Sequence, residues 1–247
     1  MNIKQYLDAT YLKTAEQANL TEAENAAVVK ANIQEAIDEE FKLIMIRPNW
    51  VTLAKQMITA ARSKVTIGTV IDFPLGQSPV EVKLAEAQLA VENGADDLDF
   101  VCNYAAFKLG DIGLVKSEIL ACTQYGLAQH KIVKWIIEVA ALNPQQIIQL
   151  TTLIKNVVIA NFKEDCYGQV FVKSSTGFFV TPHNEPNGAT VQAIILMLEN
   201  GFPLPVKAAG GVRNYEEALD MVRLGVKRIG TSAAKQIAHG QAHDSAY

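Results

Sequence analysis

Residues 131–139 read KIVKWIIEV. Runs of this kind recur along the chain: LIMI (43–46), VTIGTVI (65–71), DLDFV (97–101), QVFVKS (169–174), LPVKA (204–208) and KRIGT (227–231), with a weaker one near residues 6–12. One predicted helix separates each run from the next. Apolar runs spaced in this way are what a parallel sheet covered on both faces shows. Eight strand–helix units predict a closed (β/α)8 barrel of the TIM class in a single domain over residues 1–238. An open doubly wound sheet would carry a glycine-rich turn after its first strand, and none is present.

The helix starts are written in capping signals. Thr21 with Glu24 opens a helix to about Glu40, and Asn214 with Glu217 opens one ending near Gly225. Asn143-Pro144 precedes apolar residues at helical period, and Ser78, Pro79 and Glu81 mark a helix stopped by Gly94. The last segment, HGQAHDSAY (239–247), is small and polar and reads as a mobile tail.

Length and composition agree with one barrel. The chain has 247 residues, 49% hydrophobic and 19% charged, enough to fill a large core. Its net charge is −4 with no Lys/Arg-rich run, which speaks against a nucleic-acid partner. The apolar stretch around residues 132–142 holds Lys134 and Glu138, too short and too charged for a membrane span. Cys102, Cys122 and Cys166 are odd in number and widely spaced, as suits a reducing, cytoplasmic setting. His130, His183, His239 and His243 form no HxxxH or HExxH, so no catalytic metal is expected.

Three strands carry a lysine inside their apolar run: Lys134, Lys173 and Lys207. Alternation of side chains puts Lys134 and Glu138 on one face, toward the barrel interior if the bulky set faces the helices. Burying a charge costs several kcal/mol unless it is paired, so either the two pair or the site is functional. Lys173 and Lys207 sit near the C-terminal strand ends, where barrels carry their active sites. Desolvation and mutual repulsion both lower a lysine pKa. At pKa ~10.4 about 1 lysine in 2,500 is neutral at pH 7, and a drop to ~7 makes half of them neutral. A neutral buried lysine attacks carbonyl carbon, and position alone fits either lysine. Asp99, mid-strand, is the candidate proton shuttle, whereas Asp96 and Asp97 read as solvated or capping residues at the strand start.

Glycine turns follow the late strands: STG (175–177), GGV (210–212) and GTS (230–232). Backbone N–H groups of Gly177, Gly210, Gly211, Gly230 and Ser232 would form a nest for a phosphate. Arg213 either reaches the same phosphate or is a solvated helix-start residue.

These segments resemble the deoxyribose-phosphate aldolases. IDFPLG (71–76), NGADDLDFV (93–101), IVKWIIE (132–138), VFVKSSTGF (171–178), VKAAGGVR (206–213), RIGTS (228–232) and the N-terminal DATYLK (8–13) run in the family's order. The resemblance implies a class I aldolase that cleaves 2-deoxy-D-ribose 5-phosphate reversibly to D-glyceraldehyde 3-phosphate and acetaldehyde, with no cofactor. It implies Lys173 as the Schiff-base residue, Lys207 as the perturber of its pKa and Asp99 in proton transfer through water. Lys134, Glu138 and Thr176 would support that relay, as would Asp8 and Thr10, which match polar N-terminal positions near the substrate. The partners implied are small sugar phosphates and aldehydes, and a homodimer is the expected assembly.

Departures from the family pattern mark what to look for. Ser174 stands where the motif usually has threonine, and its hydroxyl is kept. The connection FFVTPHNEPNGAT (178–190) is longer than usual. Met45 replaces a cysteine found in some relatives. Tyr247, on the tail, is a candidate proton donor. The rival readings are a transaldolase-like Schiff-base barrel and a non-catalytic sugar-phosphate sensor.

Overall fold

The computed structural model describes residues 1–181 and 188–240. Its strands are β1 (Leu7–Tyr11), β2 (Leu43–Ile46), β3 (Thr66–Ile71), β4 (Asp97–Val101), β5 (Ile132–Ile136), β6 (Val170–Lys173), β7 (Val206–Ala209) and β8 (Arg228–Thr231). All pair in parallel in sequence order, and β1 closes on β8 through Leu7↔Ile229, Asp8↔Gly230 and Ala9↔Thr231. This is the closed barrel that the alternating runs predict. Two of those runs, at β2 and β4, match their strands residue for residue.

Helices cover the outside: α1 (Ala15–Ala18), α2 (Glu22–Asp38), α3 (Val51–Ala60), α4 (Val80–Glu92), α5 (Tyr104–Lys108), α6 (Ile112–Ala128), α7 (Pro144–Asn161), α8 (Val191–Gly201), α9 (Tyr215–Leu224) and α10 (Ala234–Ala238). Reciprocal capping boxes start α2, α7 and α9 at Thr21/Glu24, Asn143/Gln146 and Asn214/Glu217. The start of α4 differs from its sequence signal. Ser78 does not cap the helix; its hydroxyl and N–H both donate to the Asp72 carboxylate at 2.8 Å. Among the described residues no helix is long and apolar enough to cross a membrane.

Strand alternation sorts the side chains into two cores. Ile44, Ile46, Leu98, Phe100, Val133, Trp135, Val170 and Val172 pack outward in the main core beneath the helices. There Trp135 stacks on Phe100 and donates to Thr123 Oγ1 of α6 at 3.0 Å. Gly126 lets α6 approach β5 closely, since a Cβ there would lie 2.3 Å from Val133 Cγ2. The other parity forms the barrel lumen, where Leu12, Leu43, Met45 and Val70 make a separate apolar cluster. The remaining strands fill the lumen with charge.

His239 caps α10, and its ring nitrogen lies 3.0 Å from Glu39, so defined contacts continue past residue 238. Residues 241–247, Tyr247 included, lie outside the described residues, as do 182–187 of the long connection.

Candidate active site

Six strands each aim short-range charge into the lumen. Asp99 of β4 is the hub: its Oδ1 accepts from Lys134 Nζ at 2.7 Å, and its Oδ2 from Lys173 Nζ at 2.9 Å and Lys207 Nζ at 3.0 Å. Parallel register makes this meeting possible, because Asp99↔Lys134 and Lys173↔Lys207 are directly paired positions. Lys207 also contacts Asp8 Oδ2 of β1 at 2.6 Å, and Lys134 donates to Asp97 Oδ2 at 2.6 Å. Arg228 of β8 donates through Nε to Asp8 Oδ1 at 2.7 Å, and its Nη2 lies 3.4 Å from Asp97. All these side chains are buried.

The charges push these groups in opposite directions. Burial is the largest influence on Lys173 and disfavours its ammonium form; Lys207 and Lys134 add repulsion, and Asp99 only partly opposes them. Its pKa falls from 10.5 to about 8. This is less than a fall to ~7, and leaves roughly one Lys173 in ten neutral at pH 7. Burial would lower Lys134 too, but Asp97, Asp99 and Asp8 outweigh it and raise its pKa. Burial works to protonate Asp99, yet Lys134, Lys173 and Lys207 hold its carboxyl well below the usual range. The site therefore holds a permanent carboxylate beside an amine that is partly free, the pairing that carbonyl-addition chemistry with proton transfer requires.

Glu138 takes a different part from the one strand alternation predicts. β5 ends at Ile136, and Glu138 adopts a left-handed conformation at φ 54, which breaks the parity that would align it with Lys134. Its carboxylate accepts from Ser175 Oγ at 2.7 Å, from the Thr176 N–H at 3.1 Å and from the Thr176 hydroxyl. Burial pushes its pKa up against those bonds and the nearby Lys173 charge. Lys134 pairs with Asp97 and Asp99, not with Glu138. Asp97 is likewise buried and paired rather than solvated, with its Oδ2 2.6 Å from Lys134 Nζ and 3.4 Å from Arg228 Nη2. Asp96 caps the Ile67 N–H at 2.9 Å.

The glycine turns gather on neighbouring strand ends. Gly177, Gly210 and Gly211 all have positive φ, at 79°, 86° and 91°. The Gly177 N–H already donates to Ser175 Oγ at 2.9 Å, so Gly177 shapes the turn more than it offers a donor. Gly230 is buried, and a Cβ there would meet Lys207 Cε at 3.1 Å. Ser232 and Arg213 are exposed, and the Arg213 N–H donates to Glu217 at 2.6 Å at the start of α9. Thr10 donates to the Asp8 carbonyl at 2.8 Å. The Ser174 hydroxyl donates to the Ala209 carbonyl and accepts from the Ala209 N–H, stitching β6 to β7, a task for any hydroxyl at that position.

Sequence reading overlooked three features. Arg228, which completes the lumen charges, was legible in KRIGT: alternation aligns it with Gly230 on the inner face. Lys83 was legible from helical period, as it shares the buried face of α4 with Ala87 and Ala90. It donates to the Gly76 and Val101 carbonyls at 3.0 and 2.9 Å and to Glu118 at 2.5 Å, anchoring the turn after β3. Arg47, over Phe73 and Phe178 at 5.2 and 6.0 Å, left no sequence signal, since loops bring the three together.

Comparison with known proteins agrees with this arrangement. The model of the DeoC/LacD family aldolase matches residues 7–241. A deoxyribose-phosphate aldolase of Thermococcus gammatolerans is 38% identical over 241 residues, covering 97% of this chain and 96% of its own. Among solved structures, the aldolase QR15 superposes with a TM-score of 0.78 at 29% identity, over 97% of this chain and 95% of that one. The deoxyribose phosphate aldolase of Aeropyrum pernix, described as having a unique tetrameric structure, gives 0.75 at 26% identity, over 96% and 89%. A family model matched over residues 7–241 and a relative 38% identical along nearly the whole length make this chain a member of the DeoC/LacD aldolase family.

Proposed function

We propose that the protein is a class I deoxyribose-phosphate aldolase, cleaving 2-deoxy-D-ribose 5-phosphate to D-glyceraldehyde 3-phosphate and acetaldehyde, reversibly. The observation that carries this reading is the Lys173 amine, brought down to about 8 and held 2.9 Å from Asp99, with Lys207 on the same carboxylate oxygen. The substrate phosphate docks at the turns of Gly177, Gly210, Gly211, Gly230 and Ser232, which puts the sugar aldehyde toward the lumen. Neutral Lys173 adds to C1, and loss of water gives an iminium. A water held by Asp99 and Lys207 takes the C3 hydroxyl proton as the C2–C3 bond breaks, and its electrons pass into the iminium to give an enamine. Protonation of that enamine at C2 and hydrolysis release acetaldehyde and restore Lys173. Asp8 and Lys134 keep the charges in place, and Glu138 with Thr176 holds the turn beside the nucleophile.

The test is borohydride trapping with deoxyribose 5-phosphate, followed by peptide mass mapping. A reduced adduct on Lys173 is expected. An adduct on Lys207 reverses the two lysine roles, and bound ligand without any adduct supports a sensor. Three free thiols support a cytoplasmic setting. A homodimer is the proposed assembly, although the Aeropyrum pernix relative is described as tetrameric, and sedimentation equilibrium decides.

A further inference from the structure

We propose that Arg228 is a positioning residue that decides which lumen lysine surrenders its proton, by closing a ring of alternating charges from which Lys173 is left out. The ring can be followed contact by contact. Arg228 Nη2 lies 2.6 Å from Asp8 Oδ1, and Asp8 Oδ2 lies 2.6 Å from Lys207. Lys207 meets Asp99 at 3.0 Å, Asp99 meets Lys134 at 2.7 Å, and Lys134 meets Asp97 at 2.6 Å. Asp97 returns to Arg228 at 3.4 Å. Each ring cation thus touches two carboxylates. Lys173 touches one, Asp99 Oδ2, and shares that oxygen with Lys207.

The charge balance follows directly. The ring's three carboxylates balance Arg228, Lys134 and Lys207, so a proton on Lys173 is surplus to the ring, while the Glu138 carboxylate, engaged by Ser175 and Thr176, lies outside it. Arg228 cannot deprotonate, so it is the fixed member of the set. Without it the ring opens between Asp8 and Asp97, three carboxylates face three lysines, and a proton on Lys173 balances the cluster. Removing Asp97 does the reverse and enlarges the surplus. The groups facing Lys173 are Asp99 from β4, Lys134 and Glu138 from β5 and its end, and Lys207 from β7. Those facing Arg228 are Asp8 from β1, Asp97 and Asp99 from β4, and Lys134 from β5.

The inference rests on Lys173 being the Schiff-base nucleophile, but its test needs no substrate. Trace acetic anhydride labels neutral amines, and peptide mass mapping reads the labelling of Lys173 across about pH 6 to 11. In Arg228→Met the midpoint moves up by about one pH unit, and in Asp97→Asn it moves down by a similar amount. The double variant returns toward the wild-type midpoint, and Arg228→Lys stays near it. A role in folding alone does not produce shifts of opposite sign that cancel. Unmoved midpoints, or shifts of one sign in both single variants, overturn the proposal. Should Arg228→Met fail to fold by circular dichroism, Asp97→Asn and the double variant carry the same decision. Borohydride trapping of the wild type is run alongside: its failure removes the aldolase reading, while the labelling midpoints still judge the ring.

Discussion

Glu138 and Thr176 are joined twice, through the backbone N–H and the hydroxyl of Thr176, across 38 residues of sequence. These bonds tie the end of β5 to the turn that leaves β6, the strand of Lys173. Glu138→Gln keeps the shape and loses charge-assisted acceptance, while Glu138→Ala takes the acceptor from the Thr176 N–H and hydroxyl, at about 1–3 kcal/mol each. Steady-state kinetics are expected to show kcat/KM down about tenfold in the first and about a hundredfold in the second. Full activity of Glu138→Ala would separate the residue from the site.

Gly211 isolates backbone conformation from packing. Its φ is +91° and a Cβ there meets nothing within 4 Å. Alanine at this position therefore strains only the turn, by about 1–2 kcal/mol. The KM for deoxyribose 5-phosphate is expected to rise about tenfold, with that for deoxyribose itself almost unchanged. Equal rises for both sugars would move the phosphate elsewhere.

Lys173 makes stability depend on pH in a definite direction. Its pKa is about 8 in the folded chain, against an ordinary lysine's 10.5. Below 8 both states hold the proton, and the fold bears the full cost of the buried charge. Above 10.5 neither state holds it. Between these values the unfolded chain binds more protons, so stability rises with pH. Lys173→Met removes the titration and is expected to be about 1–3 kcal/mol more stable than wild type at pH 7. Urea midpoints should converge as pH approaches 10.5. A gap that stays constant across that window refutes the assignment.

Lys83 and Glu118 form a second buried ion pair, joining α4 to α6. Removing one partner strands the other, so Lys83→Met should lose about 3–5 kcal/mol in urea unfolding. The double variant Lys83→Met/Glu118→Leu should recover most of that loss, because neither charge then remains buried. Additive losses would mean that the two do not act as a pair.

What could be read from the chain alone followed period. Strands such as LIMI and DLDFV, and helices opened by Thr21 or Asn143, are local patterns, and they alone were enough to give a closed barrel. Lys134, Lys173 and Lys207 stood out because a charge in an apolar run has no local explanation. Partners were harder. Lys134 finds Asp97 and Asp99 through register across strands, information that no single segment contains. The partners of Glu138 escaped because it lies past the end of β5 in a left-handed conformation, where strand pairing no longer tells what it meets.

The contact between Asp8 and Arg228 spans 220 residues and lies where the first strand meets the last. In sequence Asp8 precedes Lys134, Lys173 and Lys207, and Arg228 follows all three. A chain cut anywhere between the two lacks one partner of this contact, and with it the closed sheet inside which Lys173 is buried. The burial that brings Lys173 down to about 8 therefore depends on the two ends of the sheet having joined.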